Sequence, residues 1–242
     1  MSLPAQPNQS LIRGLECLQA VATAREPVGS RELARLVGLE HTTVSRLLGT
    51  LAHLGLVRRT ANRKYRPGPG LHVLSAQSLL GSGLLPKALP HLRLLPRNEL
   101  ILAMGVLWNR SVCYLVHAAP GQAPDEAIGA HQPYPAEGSI IGIALLAQLA
   151  DDEARARYDG PDSPLRGAAL EAFLRGLEEV RRNGYALKHL HPGQTSLAFP
   201  VGNPVAAAIS LTGNGLPRER LPKLVASLGA CAAAITDALG EG

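Results

Sequence analysis

The 242 residues suffice for one large domain or two small ones, and a composition of 46% hydrophobic and 18% charged residues is that of a globular rather than a disordered chain. No apolar run approaches the roughly 18 residues of a membrane span, and the N-terminus lacks the regions of a signal peptide, so we expect a cytoplasmic protein with no membrane partner. The net charge of +5 lies wholly in residues 1–85, which carry +6 against −1 for residues 86–242.

This asymmetry suggests a polyanion-binding module joined to a near-neutral one, although a basic face can also be merely solvated. Three cysteines occur in the chain, and they are odd in number, far apart and in no metal-ligand spacing: Cys17, Cys113 and Cys231. They indicate reduced structural thiols. We expect neither a metal nor a cofactor.

The first predicted helix spans residues 8–24. Its apolar residues recur at spacings of four, three and four, which predicts one buried stripe of Leu11, Leu15, Leu18 and Ala22. Pro27 and Gly29 end this pattern. Together these features favour a short amphipathic helix at the start of the chain.

A second predicted helix begins at Ser30, whose hydroxyl can cap the first turn. Gly38 can adopt the left-handed conformation that ends a helix, and a third helical pattern starts near His41. The side chains expected to be buried in the second helix are Leu33, Leu36 and Val37.

The third predicted helix separates apolar from short polar side chains. One side carries Val44, Leu47, Leu48, Leu51 and Leu54, and the other carries Thr42, Ser45, Arg46, Gly49 and His53. Short hydroxyl side chains let a helix approach the floor of a DNA groove, and an arginine beside them can bind a guanine edge or a phosphate. Two helices joined by a tight Gly-containing turn predict a helix-turn-helix, although a surface helix in a small bundle has the same pattern.

A basic hairpin is predicted directly after the third helix. Val57 lies in one strand, Tyr65 begins the return strand, and residues 58–66 include five cations. These cations repel one another unless an anion or solvent screens them, and the phosphate backbone is the natural partner. We therefore predict a wing. The predicted DNA-binding residues are His41, Thr42, Thr43, Ser45, Arg46, Thr50, Arg58, Arg59, Arg63 and Lys64.

Three segments resemble the DNA-binding domain of the IclR-type bacterial transcription regulators: SLIRGLECLQAV, ELARLVGLEHTTVSRLLGTLAHLGLV and YRPGPGLHVL. The resemblance covers residues 8–80. It implies an α+β fold with a winged helix-turn-helix domain (1–70), a linker helix (71–85) and a GAF-like α/β effector-binding and oligomerisation domain (86–242). It also implies a ligand-responsive regulator that binds near-palindromic duplex DNA as a homodimer or homotetramer.

The predicted linker offers three leucines for packing, Leu71, Leu74 and Leu79, and ends in the small residues Gly81, Ser82 and Gly83. Small residues permit a hinge. A plain domain boundary with no mechanical role accounts for them equally well.

The remainder of the chain matches the family's effector domain more loosely, through PAEGSIIGIALLAQL, RRNGYALKH, SLAFPVGNP and AAISLTG. It also departs from the family pattern. Glu137 and Ile143 replace a histidine and a lysine, residues 188–191 replace an acidic pair, and residues 85–100 are short and proline-broken where a longer helix is expected.

By position, the resemblance assigns the effector cavity to Gly138, Ser139, Ile140, Ser196, Ser210 and Thr212. Amides at a helix start and several hydroxyls suit a small carboxylate, a sugar or a sugar acid, although each hydroxyl singly fits a structural hydrogen bond. His189 and His191 can add charge at the rim, but two histidines are too few for a metal site.

Two other classes of function fit parts of the sequence. A small-molecule hydrolase with an accessory winged-helix interaction domain needs a nucleophile and a base, for which Ser196 with His189 or His191 are the candidates. No G-x-S-x-G, P-loop or H-E-x-x-H motif is present, so we expect no enzyme and assign no catalytic residue. A winged helix used for protein contacts is the third class, and the charge of the wing argues against it.

Overall fold

A computed structural model describes residues 6–97, 99–129, 133–160, 163–191 and 193–240. The chain divides into two compact units, one extending through Ser82 and the other beginning at Gly83. This division falls inside the segment 71–85.

The described part of the N-terminal unit, residues 6–82, contains four helices and one hairpin. In chain order the elements are α1 (Gln9–Thr23), α2 (Ser30–Leu36), α3 (His41–His53), β1 (Val57–Arg59), β2 (Tyr65–Pro67) and α4 (Pro69–Gly81). The two strands pair antiparallel directly after α3. This order is that of a winged helix-turn-helix, as predicted.

The prediction of which α1 residues are buried is wrong. Leu11 and Leu15 are 61% and 47% exposed, and only Leu18 of the four predicted residues is partly buried. The buried residues are Gly14, Cys17 and Val21. A Cβ on Gly14 would lie 3.8 Å from Leu47 Cδ2, so α1 approaches α3 through its small residues and leaves Leu11 and Leu15 in solvent.

Two predictions for α2 are also wrong. The N-cap is Gly29, whose amide donates to Glu32 Oε2 at 3.5 Å, so the Ser30 hydroxyl does not cap the helix. Leu36 is 67% exposed, because the face of α2 that meets the core carries Leu33 and Ala34 and Leu36 lies outside it. Gly38 has the predicted left-handed conformation, with φ of 65°.

The C-terminal unit is built on a six-stranded antiparallel sheet in the order β5-β4-β3-β8-β7-β6. Its strands are β3 (Ile101–Trp108), β4 (Ser111–Ala118), β5 (Tyr134–Pro135), β6 (Ala186–His191), β7 (Gln194–Val201) and β8 (Ala207–Asn214). Its helices are α5 (Leu84–Leu94), α6 (Ile140–Leu146), α7 (Asp151–Ala156), α8 (Gly167–Asn183) and α9 (Leu221–Gly240). The predicted α+β class is confirmed.

Different helices cover the two faces of this sheet. Ala103 and Ala198 belong to the core cluster that includes α6 and α8. Phe199 follows Ala198 and therefore faces the other side, where a Cβ on Gly229 of α9 would lie 3.2 Å from its ring. Helix α9 also contacts α5. The sheet thus has an α6 face and an α9 face.

The segment 85–100 was predicted to be broken by prolines, and this is wrong for the part that forms α5. The helix runs unbroken through Pro86 and Pro90. Pro86 lies in the first turn, where its missing amide would have no partner within the helix. Pro90 removes one interior hydrogen bond. The loss is tolerated in a helix that buries Leu84, Leu85, Ala88 and Leu92.

One helix of the described residues, Arg218–Gly240, has the length and mean hydropathy, 1.3, of a membrane span. Of this apolar window 22% is buried, and the buried residues recur at helical spacing on a helix that contacts α5, β7 and β8. Burial raises the pKa of the Cys231 thiol in this helix to about 11, so the thiol is protonated at neutral pH.

Candidate DNA interface and effector site

The polar face of α3 is open to solvent. Val44, Leu48 and Leu51 are buried beneath it, whereas Leu54 follows the last helical residue and is exposed. The predicted contact residues on this helix are exposed or half-buried: His41, Thr42, Thr43, Ser45, Arg46 and Thr50. The Thr50 hydroxyl donates to the Arg46 backbone carbonyl at 3.2 Å, and the Arg46 side chain is exposed.

His41 joins the two helices of the helix-turn-helix. Its Nε2 lies 3.0 Å from Ser30 Oγ and 3.3 Å from Ser45 Oγ. The start of α2 is thereby tied to the first turn of α3. Sequence reasoning missed this role of Ser30, because nothing in the local pattern links a serine to a histidine eleven residues later.

The wing presents its cations without carboxylate partners. Arg58 pairs directly with Arg66 across the hairpin, and the Arg59 guanidinium carbon lies 5.9 Å from the centroid of the Tyr65 ring. Like charges opposite each other on a hairpin are destabilising. Within the described residues, none of the five cations of the segment 58–66 forms an ion pair.

The wing is anchored at Tyr65. The Tyr65 amide donates to the Val28 carbonyl at 2.8 Å, and the Val28 amide donates to the Tyr65 carbonyl at 2.9 Å. Tyr65 is buried with Val28 in the core of the unit. The hairpin is therefore fixed to the α1–α2 connection through backbone atoms, and its cationic side chains do not hold it in place.

Three of the predicted effector residues form a hydroxyl cluster on the α6 face of the sheet. Ser196 of β7 pairs in register with Thr212 of β8, and Ser210 lies two residues before Thr212 on the same face. Ser196 Oγ and Thr212 Oγ1 are 2.8 Å apart. Ser196 and Ser210 are buried. We call Ser196, Ser210 and Thr212 the hydroxyl cluster.

The other three predicted residues, Gly138, Ser139 and Ile140, lie at the start of α6. Ser139 is the N-cap, and its Oγ accepts from the Gly142 amide at 3.2 Å. The Tyr114 hydroxyl is 2.9 Å from the same oxygen, and burial raises the pKa of Tyr114, so this phenol stays neutral. Tyr114 was not predicted, because it is brought to Ser139 by β4 from 25 residues away.

Helix α6 contacts β7 and β8, so its start and the hydroxyl cluster share one side of the sheet. A cavity of about 350 Å³ lies beside them, between α6, α8 and β6. Ile140 is the only one of the six predicted residues that lines it, together with Ile143, Phe173, Tyr185, Leu187 and Lys188.

Comparison with known proteins agrees with this architecture. The IclR helix-turn-helix domain model matches residues 10–61. The HTH-type transcriptional regulator KdgR of Escherichia coli K12 is 28% identical, and the match covers 98% of this chain and 96% of KdgR. An IclR family transcriptional regulator from Brucella abortus is 25% identical, with a TM-score of 0.74 over 100% of this chain and 94% of that one.

Residues 10–61 match the IclR helix-turn-helix domain, and nearly the whole chain is similar to IclR-type transcription regulators. A third similar protein is an IclR homologue from Microbacterium hydrocarbonoxydans, solved in complex with 4-hydroxybenzoate. It has a TM-score of 0.66 at 22% identity, over 97% of this chain and 100% of that chain. The resemblance stated from the sequence is confirmed, and with it the function of a transcription regulator.

Glu137 is one position at which the chain departs from the pattern of the IclR-type regulators. Its Oε2 accepts a hydrogen bond from the Tyr158 hydroxyl at 3.1 Å. Burial and the Glu137 carboxylate both raise the pKa of Tyr158. Glu137 thus joins the turn before α6 to the segment after α7.

The histidine proposed for the rim of the effector site lies on the opposite side of the sheet. His189 Nδ1 is 3.0 Å from Thr195 Oγ1, and Thr195 and Ser196 are successive residues of β7 that point to opposite faces. Ser196 and His189 therefore form no nucleophile and base pair in this regulator. The side chain of His191 lies outside the described residues.

Proposed function

We propose that this regulator binds a near-palindromic operator in duplex DNA as a homodimer or homotetramer, and that a small carboxylate, sugar or sugar acid in its C-terminal unit changes its DNA affinity. The observation that supports this proposal most directly is the exposed polar face of α3 beside a wing of unpaired cations. A helix of this kind reads base edges in the major groove, while a cationic wing contacts phosphates.

Arg46 is the residue we expect to read sequence. It is the one long cationic side chain on the α3 face, and its neighbours Thr42 and Ser45 are short enough to let it reach a guanine edge. Arg46→Ala should weaken binding to the operator by about 1 to 3 kcal/mol and binding to random duplex by much less. Fluorescence anisotropy with both duplexes measures the two losses.

The control is Arg13→Ala, which removes an exposed cation from α1 and should leave both affinities unchanged. Equal losses on the operator and on random DNA would assign Arg46 to phosphate contact alone.

The effector part of the proposal rests on the α6 face. Four hydroxyl groups, those of Ser139, Ser196, Ser210 and Thr212, lie on or beside this face, where α6 begins. Hydroxyls and helix-start amides bind carboxylates and polyols without a charged side chain. The aromatic carboxylate held by the Microbacterium homologue belongs to the same chemical class.

The double variant Ser196→Ala/Thr212→Val tests this site. It removes both partners of the 2.8 Å hydrogen bond, so no buried hydroxyl loses its only partner and the unfolding free energy should change little. A thermal-shift screen of sugars, sugar acids and small carboxylates first identifies a compound that stabilises the wild type. That compound should then alter wild-type DNA affinity by roughly 1 to 3 kcal/mol and leave the variant's affinity unchanged.

The matched control is Thr195→Val, which removes a hydroxyl from the opposite face of the same strand and should respond to the compound like the wild type. A full response in the double variant would place the effector elsewhere. A loss of DNA binding without the compound would make the hydroxyl pair a folding element.

A further inference from the structure

A cleft with a volume of about 780 Å³ lies in the C-terminal unit, away from the hydroxyl cluster. It is bounded by the loop before β3, the loop after β8 and the first turns of α9. We propose that this cleft is a second ligand site, which takes an organic carboxylate with an apolar body. This proposal does not depend on the effector role of the hydroxyl cluster.

The position of Gly213 shows that the cleft and the hydroxyl cluster lie on opposite sides of β8. Gly213 follows Thr212 in β8, so its side-chain position is on the α9 face while Thr212 is on the α6 face. A Cβ at Gly213 would clash with Leu100 and lie 3.3 Å from Leu216 Cγ. Leu100 and Leu216 both line the cleft, which therefore backs onto the side of β8 opposite the hydroxyl cluster.

The walls of the cleft suit a small amphipathic molecule. Leu100, Leu216 and Leu224 supply apolar surface, and none of the described residues that line the cleft is aromatic. The volume lies within the range of roughly 300 to 1,000 Å³ that is typical of small-molecule pockets. The apolar part of a ligand can thus be covered by leucine side chains.

The charge of the cleft selects an anion. Three cations line it, Arg97, Arg220 and Lys223, against one carboxylate, Glu99. This excess is local, because residues 86–242 carry a net charge of −1. Arginine and lysine side chains bind carboxylates through charge-assisted hydrogen bonds.

These cations differ from three other arginines of the same unit, which are paired with carboxylates. Arg93, Arg155 and Arg181 each form an ion pair with a carboxylate at 2.6 to 2.9 Å. Arg97 donates to the Ala119 carbonyl at 3.0 Å, which uses one of its five N–H groups. Within the described part of the chain, neither Arg220 nor Lys223 has a side-chain hydrogen bond or ion pair. Their charges remain available to a ligand.

Benzoate is the probe for this site, titrated into the full chain by calorimetry beside its neutral isostere benzamide and inorganic phosphate. Benzoate should bind at millimolar concentration or below, and benzamide, which lacks the charge, should bind at least about tenfold more weakly. Phosphate should also bind more weakly, because it has no apolar body. The variant Arg220→Gln/Lys223→Gln should lower benzoate affinity about tenfold or more.

Two controls locate the binding. Arg218→Gln removes an exposed cation from the same turn that does not line the cleft, and it should leave benzoate affinity unchanged. Ser196→Ala/Thr212→Val should also keep wild-type affinity. The proposal is overturned by the absence of saturable benzoate binding, by equal binding of benzamide, by an equal loss in Arg218→Gln, or by undiminished binding in Arg220→Gln/Lys223→Gln. Loss of binding in Ser196→Ala/Thr212→Val would assign benzoate to the hydroxyl cluster and overturn it as well.

Discussion

Replacing Arg58, Arg59 and Arg63 together by alanine is expected to weaken binding to every duplex, whatever its sequence, by roughly 500-fold at 0.1 M salt. Each phosphate contact contributes about 0.9 to the slope of log affinity against log salt, so three lost contacts reduce the slope by about 2.7. Titrations over a range of salt concentrations, with operator and random duplexes, measure the slope directly.

The wing should keep its fold in this variant. Its anchor is the pair of backbone hydrogen bonds between Tyr65 and Val28, and removing Arg58 relieves the repulsion with Arg66 across the hairpin. The loss of affinity would then report lost contacts and not lost structure.

A control with the same change in net charge replaces three exposed cations of the C-terminal unit, Arg175, Arg182 and Arg218, by alanine. Its salt slope should equal that of the wild type. An unchanged slope in the wing variant would remove the wing from the DNA interface.

The order of elements in the N-terminal unit could be predicted because its determinants are local. The left-handed Gly38, the helical periodicity of Val44, Leu48 and Leu51, and the cations after Val57 each act within a few residues of the structure that they specify. Such determinants can be read along the sequence without knowledge of distant contacts.

The choice of buried face on α1 could not be predicted in the same way. Periodicity shows that Leu11 and Leu15 share a face, but it does not show that the opposing helix requires close approach at Gly14 and Cys17. Small side chains carry little weight in a hydrophobic pattern, yet they allow the closest packing between helices. Tertiary contact therefore decided between two apolar faces.

The candidate effector residues came from the family resemblance, and their partners depend on strand register. Ser196 meets Thr212 because β7 and β8 pair in one particular register, and Tyr114 meets Ser139 because β4 passes beside the start of α6. A one-residue shift of either strand would move these hydroxyls to the other face. These partners are 16 and 25 residues apart along the chain, and no local sequence pattern shows which hydroxyls will meet.

The substitution expected to be most disruptive in the C-terminal unit is Gly142→Ala, which should lower its unfolding free energy by about 3 kcal/mol. Helix α6 begins directly after the turn Ala136–Gly138, and a Cβ at residue 142 would lie 2.5 Å from Ala136 Cα and overlap the Ala136 carbonyl. These are backbone atoms, so a side-chain rotation cannot relieve the overlap and the helix must move.

Helix propensity acts in the opposite direction, which makes the sign of the result informative. Alanine is favoured over glycine within a helix by about 1 kcal/mol. Gly176→Ala measures that gain alone, because Gly176 is exposed in α8 and no heavy atom lies within 4 Å of its Cβ position. This variant should be about 0.5 to 1 kcal/mol more stable than the wild type. Urea unfolding followed by circular dichroism compares the two variants.

If Gly142→Ala is as stable as Gly176→Ala, α6 does not lie against Ala136. If it is destabilised as expected, the close contact at Gly142 holds the amide that donates to Ser139 Oγ, and the packing of α6 determines the position of the Ser139 hydroxyl on the α6 face.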